Sequence, residues 1–550
     1  MLKSKLSLFF LGLCLTCLTS IPVKAAEKLL VSYGSLLFSL RIDSLETFAK
    51  TGTINEDLGL YLNLVTPEQQ AEFRTALTKK ANVEPLLVSR FFNTKMGQAI
   101  LTRTGKGVTI QGGGNGGYAL RGAIVSAAFD PEGLTLLNVL KKYPTNIQLQ
   151  GELIQGFTGE LEQLVAATET LVTRMEEWTA EEAKNNPPVN YATLTDLRKP
   201  GKYEVKKEVW QLTDKSRNRS FYVDVYIPQN VGEEKTNVLV FSHGLASRPE
   251  DYNVGLQHLA SYGYLVAAPQ HPGSDTIYLQ EMFEGYHRDI FDLNDFINRP
   301  KDISFVIDEL QRRNNSQFQG KLELENVGMA GHSFGGYTTL AIAGATIDFE
   351  HLEKSCNRLY NGINISNLLE CRALELPRQD YNFRDNRVKA VLAGNPVNRN
   401  IFGQKGLSKI TIPTLLLSGS DDPATPPALN QASSFTFLTT PNKYWGLIEG
   451  QAHVNFTKLD GQITDTIDSV SQITFPSQNL IGSYVNGIST AFFQVYIGNN
   501  ESYRPYLQSS FAQYLSQNET FKFSFITRNS TDKLEAEIEQ FKIEQFQFEN

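Results

Sequence analysis

The chain has 550 residues, 41% hydrophobic and 20% charged, with a formal net charge of −8. That length can bury a large core, and the balance excludes a mainly disordered or fibrous chain. The acidic charge argues against nucleic acid or an anionic membrane surface as an electrostatic partner.

Lys3 and Lys5 precede a short uncharged apolar run, Leu6 to Leu18, and Val23-Lys24-Ala25 offers small residues for cleavage. This predicts a secretory signal peptide over residues 1–25 and an exported protein, periplasmic or secreted. The run is short for a membrane span. Cleavage removes three lysines and no acid, so −8 becomes −11. It also removes Cys14 and Cys17, leaving Cys356 and Cys371. Two thiols in an exported chain are expected to form a disulfide, with two free thiols as the alternative.

Residues 27–183 read as a mostly helical N-terminal domain. Thr66-Pro67-Glu68-Gln69 is a helix start with a capping box, and Asp130-Pro131-Glu132 reads as another. Ile154, Phe157, Leu161, Leu164, Thr168, Leu171, Met175 and Trp178 recur every three or four residues, as on one face of a long helix. Gly112, Gly114 and Gly117 match G-x-G-x-x-G, the dinucleotide-binding pattern, but no second strand completes a βαβ unit. Asn185-Asn186-Pro187-Pro188 breaks the helix and opens a linker over 184–200.

From residue 201 the period changes. Val205–Leu212 and Phe221–Ile227 read as a hairpin. Apolar strands at 238–241, 264–268, 327–330, 388–393, 414–417 and 445–448 then alternate with helical stretches. Such alternation predicts a mostly parallel sheet with helices on both faces, the α/β-hydrolase plan. Residues 346–387 are too many for a simple connection and read as an inserted cap carrying the cysteine pair.

Gly331-His332-Ser333-Phe334-Gly335 matches G-x-S-x-G between a strand and a helix. That context makes Ser333 the candidate nucleophile, on a sharp turn at the sheet's carboxyl edge. A serine needs a base oriented by an acid, in chain order Ser, acid, His. Two histidines follow Ser333. His351 falls in the cap, whereas His453 follows the last expected strand and is the candidate base. Asp422, in Gly419-Ser420-Asp421-Asp422-Pro423, is the candidate acid, with Asp421 expected to cap the turn. The N–H groups of Leu245, after the strand Val238–Phe241, and of Phe334 are candidate oxyanion donors. His243 and His271 are candidate pocket residues, the alternative being hydrogen-bonded loop histidines. No cofactor is expected, and the scattered histidines predict no metal site.

Phe241-Ser242-His243-Gly244-Leu245 together with Gly331-His332-Ser333-Phe334-Gly335-Gly336 resembles the plasma-type platelet-activating factor acetylhydrolases. It is similar also to dienelactone-hydrolase-like and polyester-hydrolase-like bacterial enzymes. The region from Leu29-Leu30-Val31 to Asp130-Pro131-Glu132 resembles an uncharacterised helical domain that precedes such hydrolases in cyanobacteria. The likeness implies a calcium-independent lipase-like enzyme removing short acyl chains from phospholipids; despite the acidic charge, peripheral lipid contact through an apolar patch stays open. One departure concerns the acid. The acetylhydrolases take it from the strand after the nucleophile, where this chain has Leu392-Ala393-Gly394-Asn395. Dienelactone hydrolases use a cysteine nucleophile, and this chain has Ser333. A polyesterase, a peptidase or a non-catalytic envelope binding protein are the alternatives.

Overall fold

The computed structural model describes residues 25–358, 364–453 and 475–540. The expected leader, except Ala25, lies outside the described residues. The chain divides into two compact units, residues 1–156 and 157–550.

In the first unit, β1 (Lys28–Tyr33) pairs antiparallel with β2 (Leu36–Arg41) and parallel with β4 (Ile147–Gln150), which pairs antiparallel with β3 (Val108–Ile110). This four-stranded sheet accompanies a helical set that includes α1 (Ile42–Thr51), α2 (Pro67–Thr78), α3 (Lys95–Gly107) and α4 (Gly117–Phe129). Leu45 and Phe48 of α1 and Leu77 of α2 are buried in a common cluster. Thr66 caps α2 as its sequence predicts: its hydroxyl accepts from the Gln69 N–H, and the Gln69 side chain accepts from the Thr66 N–H. The expected helix start at Asp130 is instead a turn. Asp130 caps the end of α4, and the next helix begins at Leu136 behind Thr135. The glycine pattern lies between β3 and α4, and β3 meets β4 antiparallel, so the parallel unit of a dinucleotide fold is not formed here.

Helix α5 (Gly151–Asn185) ends at the predicted Asn-Asn-Pro-Pro break. The break is where a domain boundary is expected, whereas the compact units part between Gly156 and Phe157. Packing explains the difference. Leu164, Leu171, Met175 and Trp178 of α5 are buried. Near the helix end the buried Glu182 carboxylate accepts from the Thr527 N–H and the Ser509 and Ser530 hydroxyls. The end of α5 is therefore bound into the second unit by polar contacts as well as apolar ones.

The second unit is built on a nine-stranded sheet in the order β13-β12-β11-β10-β9-β7-β8-β6-β5. These strands are β5 (Val205–Asp214), β6 (Arg219–Pro228), β7 (Thr236–Ser242), β8 (Leu265–Pro269), β9 (Leu322–His332), β10 (Val388–Gly394), β11 (Thr414–Gly419), β12 (Lys443–Ile448) and β13 (Phe523–Thr527). Strands β7 to β12 pair in parallel. β5, β6 and β13 are antiparallel to their neighbours. Strands β11 and β12 are buried at every position, as expected where helices cover both faces. Helix α7 (Asp295–Phe318) and the wholly buried α8 (Phe334–Ile342) follow α6 (Asn253–Ser261) in the chain. This is the α/β-hydrolase fold. The 346–387 insertion carries α9 (Phe349–Cys356) and α10 (Ser366–Glu370), and a disulfide joins Cys356 to Cys371. Among the described residues no helix is long and apolar enough to cross a membrane.

Candidate active site

Five neighbouring parallel strands, in the order β12-β11-β10-β9-β7, end at one edge of the sheet. The residues just beyond those ends are His453, Asp422, Asn395, Ser333 and Gly244. In open α/β sheets this carboxyl edge is where ligands bind.

Ser333 links β9 to α8 with φ 57° and ψ −115°, a left-handed backbone uncommon for a side chain with a Cβ. Two glycines make the turn possible. A Cβ on Gly331 would lie 2.2 Å from the Gly335 carbonyl oxygen, and one on Gly335 would lie 1.9 Å from that of Ser242. Strand, turn and helix thus pack backbone to backbone, holding Ser333 at 8% exposure.

Ser333, His453 and Asp422, 120 and 31 residues apart, form one hydrogen-bonded chain. His453 Nε2 lies 2.8 Å from Ser333 Oγ, and His453 Nδ1 lies 2.7 Å from Asp422 Oδ2. The Asp422 carboxylate also accepts from the Thr425 hydroxyl at 2.7 Å and from the N–H groups of Ala424 and Thr425 at 2.8 and 2.9 Å. Burial pushes the Asp422 carboxyl up, but the His453 imidazole and the Thr425 donors outweigh it and hold the group below the usual carboxylate range. An ionised carboxylate only accepts, so Nδ1 carries the imidazole proton and Nε2 is free to accept from the serine hydroxyl. Asp421 is exposed and accepts from the Ser420 hydroxyl instead. His351 lies on α9 of the insertion against Gly403, with no contact to Ser333.

Phe334 is the first residue of α8, so its N–H has no acceptor within the helix. Leu245 follows Gly244, and a Cβ on Gly244 would approach the Ser333 Cβ to 3.4 Å. Phe334 and Gly244, the residue before Leu245, therefore border the serine.

His243 and His271, the candidate pocket residues, are both fully buried and hydrogen-bonded within the loops, as in the alternative reading of them as loop histidines. His243 Nδ1–H donates to the Gly244 carbonyl, and its Nε2 accepts from the His271 N–H. The His271 ring lies between the Ser242 hydroxyl and Asp302. Burial, followed by the Arg299 cation, holds both imidazoles well below the usual histidine range. They support the loops from beneath.

Other residues near the site were not singled out from sequence. The Tyr252 hydroxyl donates to His332 Nδ1 at 3.0 Å, and His332 Nε2–H donates to the His453 carbonyl at 2.9 Å. Asn395 Nδ2 reaches the same carbonyl at 3.4 Å. The main chain of His453 is thus tied to the ends of β9 and β10. His332 occupies the free position of G-x-S-x-G, where sequence alone gives no preference. Asp295, Arg299 and Asp302 are buried on one side of α7. Their spacing of four and three was the available signal, although such a stripe ordinarily faces water. Among the described residues no group of histidine, cysteine or acidic side chains could hold a metal ion.

Two family matches accord with the α/β-hydrolase fold. Residues 193–356, which include the Ser333 turn, match the chlorophyllase family model. Residues 25–150 match a family described as alpha/beta hydrolase of unknown function (DUF1400), a stretch that lies within the first unit. No curated protein matches the chain.

Proposed function

We propose that the chain is a serine carboxylesterase. Ser333 attacks an ester carbonyl while His453 Nε2 takes its proton. The N–H groups of Leu245 and Phe334 hold the oxyanion, and Asp422 stabilises the imidazolium. His453 then gives the proton to the leaving alcohol. Water, activated by His453 in turn, releases the acid from the acyl-enzyme. The observation that carries this reading is the Ser333–His453–Asp422 chain, at 2.8 and 2.7 Å, at the carboxyl edge of the sheet.

The proposed substrate is a lipid or short-acyl ester, on the motif likeness to the acetylhydrolases. The chlorophyllase match favours a second substrate, the ester of chlorophyll. Export is part of the proposal, because a disulfide between Cys356 and Cys371 persists in an oxidising compartment. The test is a panel of para-nitrophenyl esters from acetate to palmitate, a 2-acetyl phospholipid, chlorophyll and a peptide, with fluorophosphonate labelling mapped by mass spectrometry. Label on Ser333, ester turnover, and loss of both in Ser333→Ala are expected. An unlabelled, inactive parent would leave the fold without this chemistry.

A further inference from the structure

The two oxyanion donors share a neighbour outside the Ser-His-Asp chain. Arg299 of α7 is 0% exposed. Its guanidinium donates Nη1–H to the His243 carbonyl at 2.6 Å, Nη2–H to the Gly244 carbonyl at 3.2 Å, and Nε–H to the Ser274 hydroxyl at 2.7 Å. It also lies over the Phe334 ring, 4.4 Å from the centroid. One planar cation therefore touches the residues that carry or adjoin both donors.

Peptide geometry gives these contacts a consequence. A trans peptide points its C=O and N–H in opposite directions. The Gly244 carbonyl faces Arg299, so the Leu245 N–H of the same peptide faces away from it. The preceding peptide shows the same pattern: its His243 carbonyl faces Arg299 and its Gly244 N–H donates to the Tyr252 hydroxyl at 3.3 Å. Ser333 and His332 border the side of Gly244 where a Cβ would project. The His243 ring adds a second donor to the Gly244 carbonyl at 2.8 Å, but only the guanidinium spans both carbonyls and the Phe334 ring.

We infer that Arg299 is a positioning residue for the oxyanion hole, holding the Gly244–Leu245 peptide and Phe334 so that both N–H groups face the developing charge. The inference rests on Ser333 being the nucleophile. Arg299 also brings fixed positive charge. Asp295, at 3.9 Å, and Asp302 face it, while Arg219 pairs with both of these and Arg217 pairs with Asp302 and Asp214, so three cations meet three anions. Burial pushes the guanidinium down to about 10, so it stays protonated at neutral pH.

The test compares Arg299→Met and Arg299→Lys with the parent on para-nitrophenyl butyrate, counting functional sites by fluorophosphonate stoichiometry. Misplacing oxyanion donors should lower kcat per labelled site about 10- to 100-fold in Arg299→Met, leaving KM within about twofold. Affinity for a trifluoromethyl ketone, which forms an oxyanion on the serine, should fall by the same factor as kcat/KM. Arg299→Lys, a cation without the fork, should recover part of the loss. A purely structural role would reduce the number of labelled sites and leave kcat per site unchanged. Parent-like kcat per site in both variants, or loss of folding in both, overturns the inference. An inactive, unlabelled parent instead removes the Ser333 reading itself.

Discussion

Replacing Asp422 by asparagine keeps the side chain's shape and reverses the two hydrogen bonds made at Oδ2, from His453 and from the Thr425 hydroxyl, which can rotate to accept instead. Oδ1 of Asp422 accepts two backbone N–H groups, from Ala424 and Thr425, at 2.8 and 2.9 Å. The amide oxygen of asparagine must take that place, because an NH2 there would face two donors. The NH2 then faces His453 Nδ1, which the carboxylate contacts at 2.7 Å. Nδ1 has to become an acceptor, and the imidazole proton moves to Nε2. Nε2–H then meets the Ser333 hydroxyl as a donor and cannot take its proton. The wrong tautomer costs about 10⁴-fold in kcat, on the order of 5 kcal/mol of barrier. KM should hold, since Asp422 is only 3% exposed and beyond reach of substrate. Steady-state hydrolysis of para-nitrophenyl butyrate, normalised by circular dichroism and melting temperature, reads the effect. Asp421→Asn is the control and should stay within about twofold. The same pair also tests pH linkage. A carboxyl depressed in the folded state adds stability above its unfolded pKa, near 3.9, and loses it as pH falls through the folded value. Asp422→Asn should lack this part of the parent's acid denaturation. Turnover within tenfold of the parent, or equal damage from Asp421→Asn, would refute the reasoning.

Two further outcomes concern stability. Ser333→Gly should melt above Ser333→Ala, by roughly 1 kcal/mol in urea unfolding, because glycine reaches φ 57° without a Cβ; equal stabilities would show that the turn holds no strain. Lys443 is buried, donates to the Phe435 and Leu438 carbonyls at 2.9 Å each, and is pushed down to about 8 by burial. Between pH 8 and 10.5 the unfolded chain therefore binds more protons at this site than the folded one, and stability rises with pH. The rise should approach about 3 kcal/mol in the parent relative to Lys443→Met, read from urea unfolding at both ends of the window; parallel pH profiles would count against it.

Much of the second unit was legible from local pattern. Each parallel strand is an apolar run bounded by turn residues, and a run buried on both faces needs no partner to be recognised. The Ser333 turn was legible because its glycines are required by contacts only a few residues away, such as Gly331 against Gly335. Asp422 could be separated from Asp421 by its spacing, and the geometry adds the reason: the turn that follows supplies three donors to one carboxylate. By contrast, β13 is a five-residue strand that pairs antiparallel with β12 across more than seventy residues of chain, and it was missed. In the first unit the pairing of β1 with β4, some 118 residues later, escaped for the same reason, although the β1–β2 hairpin is closed by only Gly34-Ser35.

The residues that support the site share one property that period and motif do not carry. His243, His271, Asp295, Arg299 and Asp302 are polar and wholly buried, and each is satisfied by groups from other elements. A polar residue in sequence implies exposure unless its partner is known, and these partners lie up to 83 residues away, as Arg219 does from Asp302. Burying such a cluster is expensive unless every member is paired, so its members are constrained together. An apolar core under the oxyanion loop would leave the His243 and Gly244 carbonyls without donors and their peptides free to rotate. The polar cluster instead fixes both carbonyls from below. The buried arginine at this position supplies N–H donors to two successive loop carbonyls at once, which no apolar side chain could do.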